Sequence, residues 1–229
     1  DLSIQVHPND ELAWERHQSK GKTEMWYVVS TDEDAHLLSG FSKQVTPEEY
    51  EASVADNTIT ELLARYAIRP GDVFFLPAGR VHAIGSGSFI AEIQQTSNIT
   101  YRIYDYGRVG ADGKPRELHT EQAKGAIDYT VLPDYRTHYT PERDTRVELV
   151  ACPYFTTSLF DLTREQTLDL SARDSFVVVM CLEGHGTLTD DRGETVPVHQ
   201  GETVLVPASA QSLRMVPDGT LKLLTSWID

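Results

Sequence analysis

Cysteine is nearly absent. The 229 residues hold only Cys152 and Cys181, which excludes a disulfide-stapled scaffold and implies two free, mostly buried thiols in a reducing cytoplasm. Positive charge is scarce as well. Lys and Arg total 20 against 35 Asp and Glu, a formal net charge of −15. Nucleic acid and anionic membrane, partners that reward a basic face, are thereby excluded. A small anionic substrate is not, because a few cations in a cleft override the global sign. No apolar run approaches the length needed to span a bilayer, and no basic-then-apolar signal opens the sequence. There is no Gly-rich phosphate loop either. The expected location is cytoplasmic.

What is present suffices for a packed core, with 40% hydrophobic and 24% charged residues. The length allows one large or two small domains, and strand patterns dominate. Ser3-Ile4-Gln5-Val6-His7 alternates, so Gln5 and His7 share one face while Ile4 and Val6 share the other. A polar excursion follows from Asn9, a turn or cap residue, through Gly21. Met25–Ser30 is rich in aromatic and β-branched residues and is expected to be a strand. Ala35–Phe41 is expected to pair with it across the acidic turn Thr31-Asp32-Glu33-Asp34.

A helical insertion is expected at about 46–65. Thr46 suits an N-cap, Pro47 the first helical position, and Glu48 and Glu49 the positive end of the helix dipole. Thr58 and Glu61 have the spacing of a second capping box. Strands resume at Val73–Leu76, Phe89–Gln94 and about Ile99–Tyr104. Residues 107–144 are polar and irregular and suggest a connection, with a short helix near Thr120–Lys124. In the second half, Gly201-Glu202-Thr203-Val204-Leu205-Val206-Pro207-Ala208 echoes Gly71-Asp72-Val73-Phe74-Phe75-Leu76-Pro77-Ala78, 130 positions earlier. Such a repeat suggests two barrels of one type. The position matching His82 is Ser212, and His185 and His199 have no evident ligand cluster beside them.

The chemistry concentrates in three stretches. Gln5 and His7 lie on one strand face, Lys22 and Glu24 share another, and a Pro77-Ala78-Gly79 turn delivers His82. Two imidazoles, a carboxylate and an amide oxygen on or beside strands make a plausible ligand set for zinc or its first-row neighbours. Taken singly, each histidine is as well explained as a hydrogen-bonded structural residue, and Glu24 as a surface carboxylate.

Together these stretches carry a resemblance. Gln-Val-His-Pro at 5–8, Lys-Thr-Glu-Met-Trp-Tyr at 22–27, Pro-Ala-Gly-Arg-Val-His-Ala-Ile at 77–84 and Ser-Asn-Ile-Thr-Tyr-Arg at 97–102 resemble the type I mannose-6-phosphate isomerases, a zinc-dependent cupin family. The resemblance runs through the first half and continues more faintly to the end. It implies an all-β architecture of two cupin (jelly-roll) barrels. The first, 1–106, holds the metal site and the helical insertion, 107–144 is the connection, and 145–229 is a degenerate barrel without a metal. Matched position by position, it implies that Gln5, His7, Glu24 and His82 hold one Zn²⁺ per chain.

The implied reaction interconverts mannose 6-phosphate and fructose 6-phosphate by proton transfer between C2 and C1 through an enediol. That route needs a base for a weakly acidic C–H and a positive group for the developing oxyanion. Arg102 matches the family's active-site arginine; its structural alternative is a salt bridge with Glu92 or Asp105. Lys22 is a partner for a substrate hydroxyl, phosphate or water, or else a solvated strand-end lysine. Glu92 matches a glutamate of the active-site region and acts in proton transfer or orients a ligand. Arg80, Lys22 and Arg102 are the basic residues nearest the motifs for a phosphate. Competing classes are an iron-dependent cupin oxygenase and a non-catalytic sugar-binding double cupin. The family carries a segment before its Gln-x-His strand, and this sequence opens at Asp1-Leu2-Ser3 rather than methionine. It is therefore expected to be a piece or processed form whose first barrel lacks early strands.

Overall fold

The computed structural model describes residues 1–110 and 112–228. Strands and a few short helices divide into two compact units, Asp1–Arg136 and Thr137–Asp229. The first contains β1 (Ile4–Val6), α1 (Asp10–His17), β2 (Glu24–Thr31), β3 (His36–Phe41) and α2 (Pro47–Ala55). After a single 3-10 turn (Ile59–Leu62) come β4 (Leu63–Ala67), β5 (Val73–Leu76), β6 (His82–Ile84), β7 (Ser88–Gln94), β8 (Tyr101–Tyr104) and α3 (Thr120–Lys124). The strands form a five-stranded sheet, β4-β3-β6-β1-β8, and a three-stranded sheet, β5-β2-β7.

Alternation assigns the two faces of the larger sheet. Ile4, Val6, Leu38, Ala83, Tyr101 and Ile103 face one core, which Tyr50 and Val54 of α2 and Ala123 of α3 complete. Leu37 faces the other core, with Trp26, Val28, Phe74 and Leu76 of the smaller sheet. Gln5, Ser39, His82 and Arg102 alternate with the first set, so they share the face that carries Leu37.

The helical insertion begins as expected. Thr46 accepts from Glu49 N–H while the Glu49 side chain accepts from Thr46 N–H, a reciprocal box. The second start differs, since Thr58 makes no side-chain cap and leads only into the 3-10 turn. A second difference concerns pairing. β3 does not form a hairpin with β2; it pairs with β4 and β6, whereas β2 pairs with β5 and β7. The acidic turn after β2 thus carries the chain from one sheet to the other. The stretch 10–17 is a helix, capped by Asn9 Oδ1 accepting from Leu12 N–H at 2.9 Å.

The polar stretch after β8 is held to the first unit as far as Arg136. Asp105 is buried and accepts from both Arg108 and Arg116, and these arginines hold its carboxyl down to about 2. Tyr135 donates to the Phe41 carbonyl at 3.1 Å, and Arg80 stacks on its ring, 4.4 Å from the centroid.

The second unit contains β9 (Arg146–Cys152), β10 (Phe155–Leu162), β11 (Gln166–Asp169), β12 (Val177–Asp190), β13 (Thr195–His199), β14 (Thr203–Val206) and β15 (Ser212–Trp227). They join in one sheet, β13-β12-β15-β10-β9, with β11 on β15 and β14 on β12. The sequence echo extends to hydrogen bonds. Val28 donates to Asp72 O and accepts from Gly71 N–H; Cys181 donates to Glu202 O and accepts from Gly201 N–H. Gly71 and Gly201 both have positive φ, 93° and 86°.

Gly40 tests the Tyr135 contact. It sits at φ 70°, and an added Cβ would lie 2.1 Å from Tyr135 Cζ. Gly40→Ala is expected to destabilise the first unit by about 2–3 kcal/mol through steric overlap and backbone strain, read as a lowered midpoint of its thermal transition.

Candidate metal centre

Strand register assembles the site. Ser39 pairs with His82, His82 with Gln5, and Gln5 with Arg102. Directly opposed residues of antiparallel strands point to one side, so these four make a row across β3, β6, β1 and β8. From the smaller sheet, Glu24 and Trp26 share a face of β2, and Glu92 on β7 is the partner of Trp26. His7 follows β1, where its carbonyl accepts from Gly79 N–H at 2.8 Å. That bond ties His7 to the turn that delivers His82.

His7, Glu24 and His82 are buried, and one ligand atom from each lies within 4.8 Å of the others, an arrangement that could hold a metal ion. Both imidazoles are oriented from behind. His7 Nδ1 donates to Ile99 O at 2.9 Å and His82 Nδ1 to Arg80 O at 2.8 Å. The protons are thus fixed on Nδ1, and each Nε2 lone pair turns inward. His7 Nε2 lies 3.6 Å and His82 Nε2 3.2 Å from Glu24 oxygens. Burial pushes both imidazoles down, His7 well below its usual range and His82 to about 4, so both are neutral near pH 7. The Gln5 amide nitrogen lies 3.3 Å from His82 Nε2 and donates to it; half a turn of the amide would present the oxygen.

A cation fits this donor set. Burial raises the Glu24 carboxyl, an effect that Lys22 opposes. Both Glu24 oxygens are sealed from solvent without a hydrogen-bond partner. Lys22 Nζ forms an ion pair with Oε2 at 2.9 Å and is also 3.4 Å from both Glu92 Oε1 and His7 Nε2. Two neutral imidazoles and an unsatisfied carboxylate are what zinc or a neighbouring divalent ion accepts.

The remaining candidates divide. Lys22 is buried in the cluster rather than solvated. Glu92 accepts from Trp26 Nε1 at 3.0 Å, and its side chain is 34% exposed, so it is the carboxylate of the cluster that solvent reaches. Arg102 donates through Nη1 to Glu117 O at 2.9 Å, and its Nε is buried without a partner. Asp105 is engaged by Arg108 and Arg116 instead. Arg80 contributes its carbonyl to His82 while its guanidinium lies on Tyr135, so it is committed to structure.

Two residues had escaped sequence reasoning. Trp26 donates to Glu92 and sets its edge on the His82 ring, 5.2 Å between centroids; its position two after Glu24 was the available signal. Ser39 closes the row with a buried hydroxyl that has no partner, and the signal was one small polar residue among Leu37, Leu38 and Phe41. Among its described residues the second unit shows no such set. Shifting Leu76 and His82 by the 130-residue offset gives Val206 and Ser212, whose strand partners are Val177 and Asp169. Apolar Val177 therefore occupies the place of Glu24, and Asp169 that of Gln5. Among the described residues the cluster of His7, Glu24 and His82 has no counterpart there.

Known proteins resemble this chain throughout. Residues 145–227 match the family model "Mannose-6-phosphate isomerase, cupin domain". The mannose-6-phosphate isomerase ManA of Bacillus subtilis is 37% identical over 211 residues, covering 90% of this chain and 65% of the relative. The mannose-6-phosphate isomerase of Streptococcus mutans is 33% identical, covering 98% and 70%. The crystal structure of mannose 6-phosphate isomerase from Bacillus subtilis superposes with a TM-score of 0.85 at 32% identity, covering 98% and 71%. The all-β cupin architecture expected from the sequence is that of these proteins, and the chain spans about two thirds of their length.

The buried imidazoles set an acid limit on the metal-free chain. His82 is unprotonated in the folded state down to about 4, whereas the unfolded chain takes up that proton near 6.5. Stability is therefore full above 6.5 and falls as pH drops from 6.5 toward 4, by up to about 3 kcal/mol. His7 acts in the same direction. Urea unfolding of the chelator-treated chain is expected to show this slope, and His82→Gln to lessen it while the His7 contribution remains.

Proposed function

The chain belongs to the mannose-6-phosphate isomerase family, and on that premise we propose that its first unit interconverts mannose 6-phosphate and fructose 6-phosphate at a zinc site formed by Gln5, His7, Glu24 and His82. The observation that carries this reading is the sealed Glu24 carboxylate, with Lys22 as its close cation, facing two imidazole lone pairs. A bound zinc ion would supply Lewis-acid polarisation of the sugar oxygens. No helix is long and apolar enough to cross a membrane among the described residues.

The chain's own residues carry the proton chemistry. Glu92, half-open to solvent and steadied by the Trp26 indole, takes the proton from C2 of the aldose and returns one to C1. The C2–H electron pair forms the C1–C2 double bond of the enediol, and the C1 carbonyl oxygen gains a proton. Collapse then makes the carbonyl at C2, releases the C2 hydroxyl proton and protonates C1. Lys22, ion-paired with Glu24 and Glu92, donates to a substrate oxygen. Arg102, with its buried unpartnered Nε, stabilises the charge that develops on the enediolate. The second unit has the matching site positions replaced by Val177, Asp169 and Ser212. Lys22 beside Glu24 and Arg102 opposite Gln5 are cations of the site suited to an anionic sugar phosphate.

The test is conversion of mannose 6-phosphate to fructose 6-phosphate by the chelated chain, before and after zinc is restored. Zinc is expected to restore turnover, His82→Ala to abolish both turnover and stoichiometric zinc, and Glu92→Gln to lower kcat by about 10²–10⁴ with zinc retained. Turnover that survives chelation or His82→Ala would sink the assignment. Zinc retention without turnover would identify a binding module instead.

A further inference from the structure

The Glu183-Gly184-His185-Gly186 stretch does not take part in the site above, yet the fold invests heavily in it. β12 leaves its register with β15 twice here, between Cys181 and Glu183 and between Gly184 and Gly186. Both glycines are required. An added Cβ at Gly184, where φ is 77°, would lie 2.0 Å from Thr220 O, and one at Gly186 would lie 2.3 Å from Val216 O. Bulges of this kind re-aim a side chain. The chain re-aimed is His185, which has no partner on β15 and faces His199 of β13.

His185 and His199 occupy the close kind of cross-strand pair. Gln200 N–H donates to Gly184 O, on one side of the pair, and His199 N–H goes to the Glu202 side chain rather than to His185. The pair is thus non-hydrogen-bonded, the type in which facing side chains approach most closely. The rings lie nearly parallel, 12° between planes and 6.2 Å between centroids.

Each imidazole is also backed by a carboxylate. His185 Nε2 donates to Asp218 Oδ2 at 2.9 Å, and His199 Nδ1 donates to Glu202 Oε2 at 3.1 Å. Those bonds fix one proton on each ring. They leave the Nδ1 lone pair of His185 and the Nε2 lone pair of His199 uncommitted. A carboxylate holding one ring nitrogen while the other is free to ligate is the arrangement around metal-binding histidines. Asp218 lies in the 218–220 segment that the two register shifts leave without partners on β12, so the bulge presents ligand and backing group together.

We propose that His185 and His199 form a second divalent-cation site, on the surface of the second unit, with Asp218 and Glu202 orienting the rings. Two imidazoles suit zinc, nickel or copper, with water in the remaining positions. Both side chains are more than half exposed, so an ion reaches them from solvent. The site is independent of the cluster at His7, Glu24 and His82.

Equilibrium dialysis against zinc chloride, followed by metal analysis, tests this on the whole chain. The unmodified protein is expected to hold one equivalent more than His185→Ala or His199→Ala. Asp218→Asn is expected to bind that equivalent about 10–100-fold more weakly. Equal zinc in the unmodified protein and both alanine variants would overturn the proposal. His82→Ala removes the other equivalent, so loss at one centre is not mistaken for loss at the other. On the unmodified chain, zinc is expected to shift the His185 and His199 imidazole resonances together; stationary resonances at saturating zinc would equally overturn it.

Discussion

A carboxylate cut off from water needs positive charge close by, and Glu24 is such a group. Removing one partner from a buried charge costs several kcal/mol, because the remaining charge has no solvent to fall back on. Glu24 is fully buried, and Lys22 alone among the neighbouring side chains brings positive charge to it. The imidazoles cannot, since burial keeps both neutral. They instead offer lone pairs, turned inward because the Ile99 and Arg80 carbonyls hold the opposite nitrogens. Burial, neutral imidazoles and an underserved carboxylate are one constraint seen from three residues.

The two units share a strand grammar down to the turn carbonyls, yet the buried cluster of two imidazoles and a carboxylate is found in the first alone among the described residues. Replacing a buried glutamate by valine at the matching register position removes the need for a counter-charge. Leu168, Leu170, Val177 and Val179 then belong to a continuous apolar core. His185 and His199 lie elsewhere, on a solvent-facing ladder that two glycine bulges deform. A repeated fold thus does not repeat its chemistry, because the chemistry resides in a few register positions that substitute independently.

Much of the site could be read without coordinates because strand periodicity is short. Gln5 shares a face with His7, and Glu24 with Lys22, and a local pattern shows that. The capping box at Thr46 and Glu49 was legible for the same reason. Pairing was not. Which strand β3 joins is decided by cores on both faces of a sheet, and an acidic turn looks alike whether it closes a hairpin or crosses between sheets. The helix at 10–17 was missed because it buries only Ala13 and leaves Trp14 exposed, so no apolar stripe announced it. Ser39 and the pairing of His185 with His199 depend on contacts between distant strands, which no single stretch displays.

β1 lies between β6 and β8, strands that follow it by most of the first unit. During synthesis at roughly 5–20 residues per second, it waits on the order of 5–20 s before either neighbour exists. Helices and the smaller sheet's early contacts can form meanwhile, but Gln5 and His7 cannot meet His82 until that gap closes. Closing a loop of such length is slow and entropically costly. Gln5, His7 and His82 therefore stay scattered until more than half of the unit has been made.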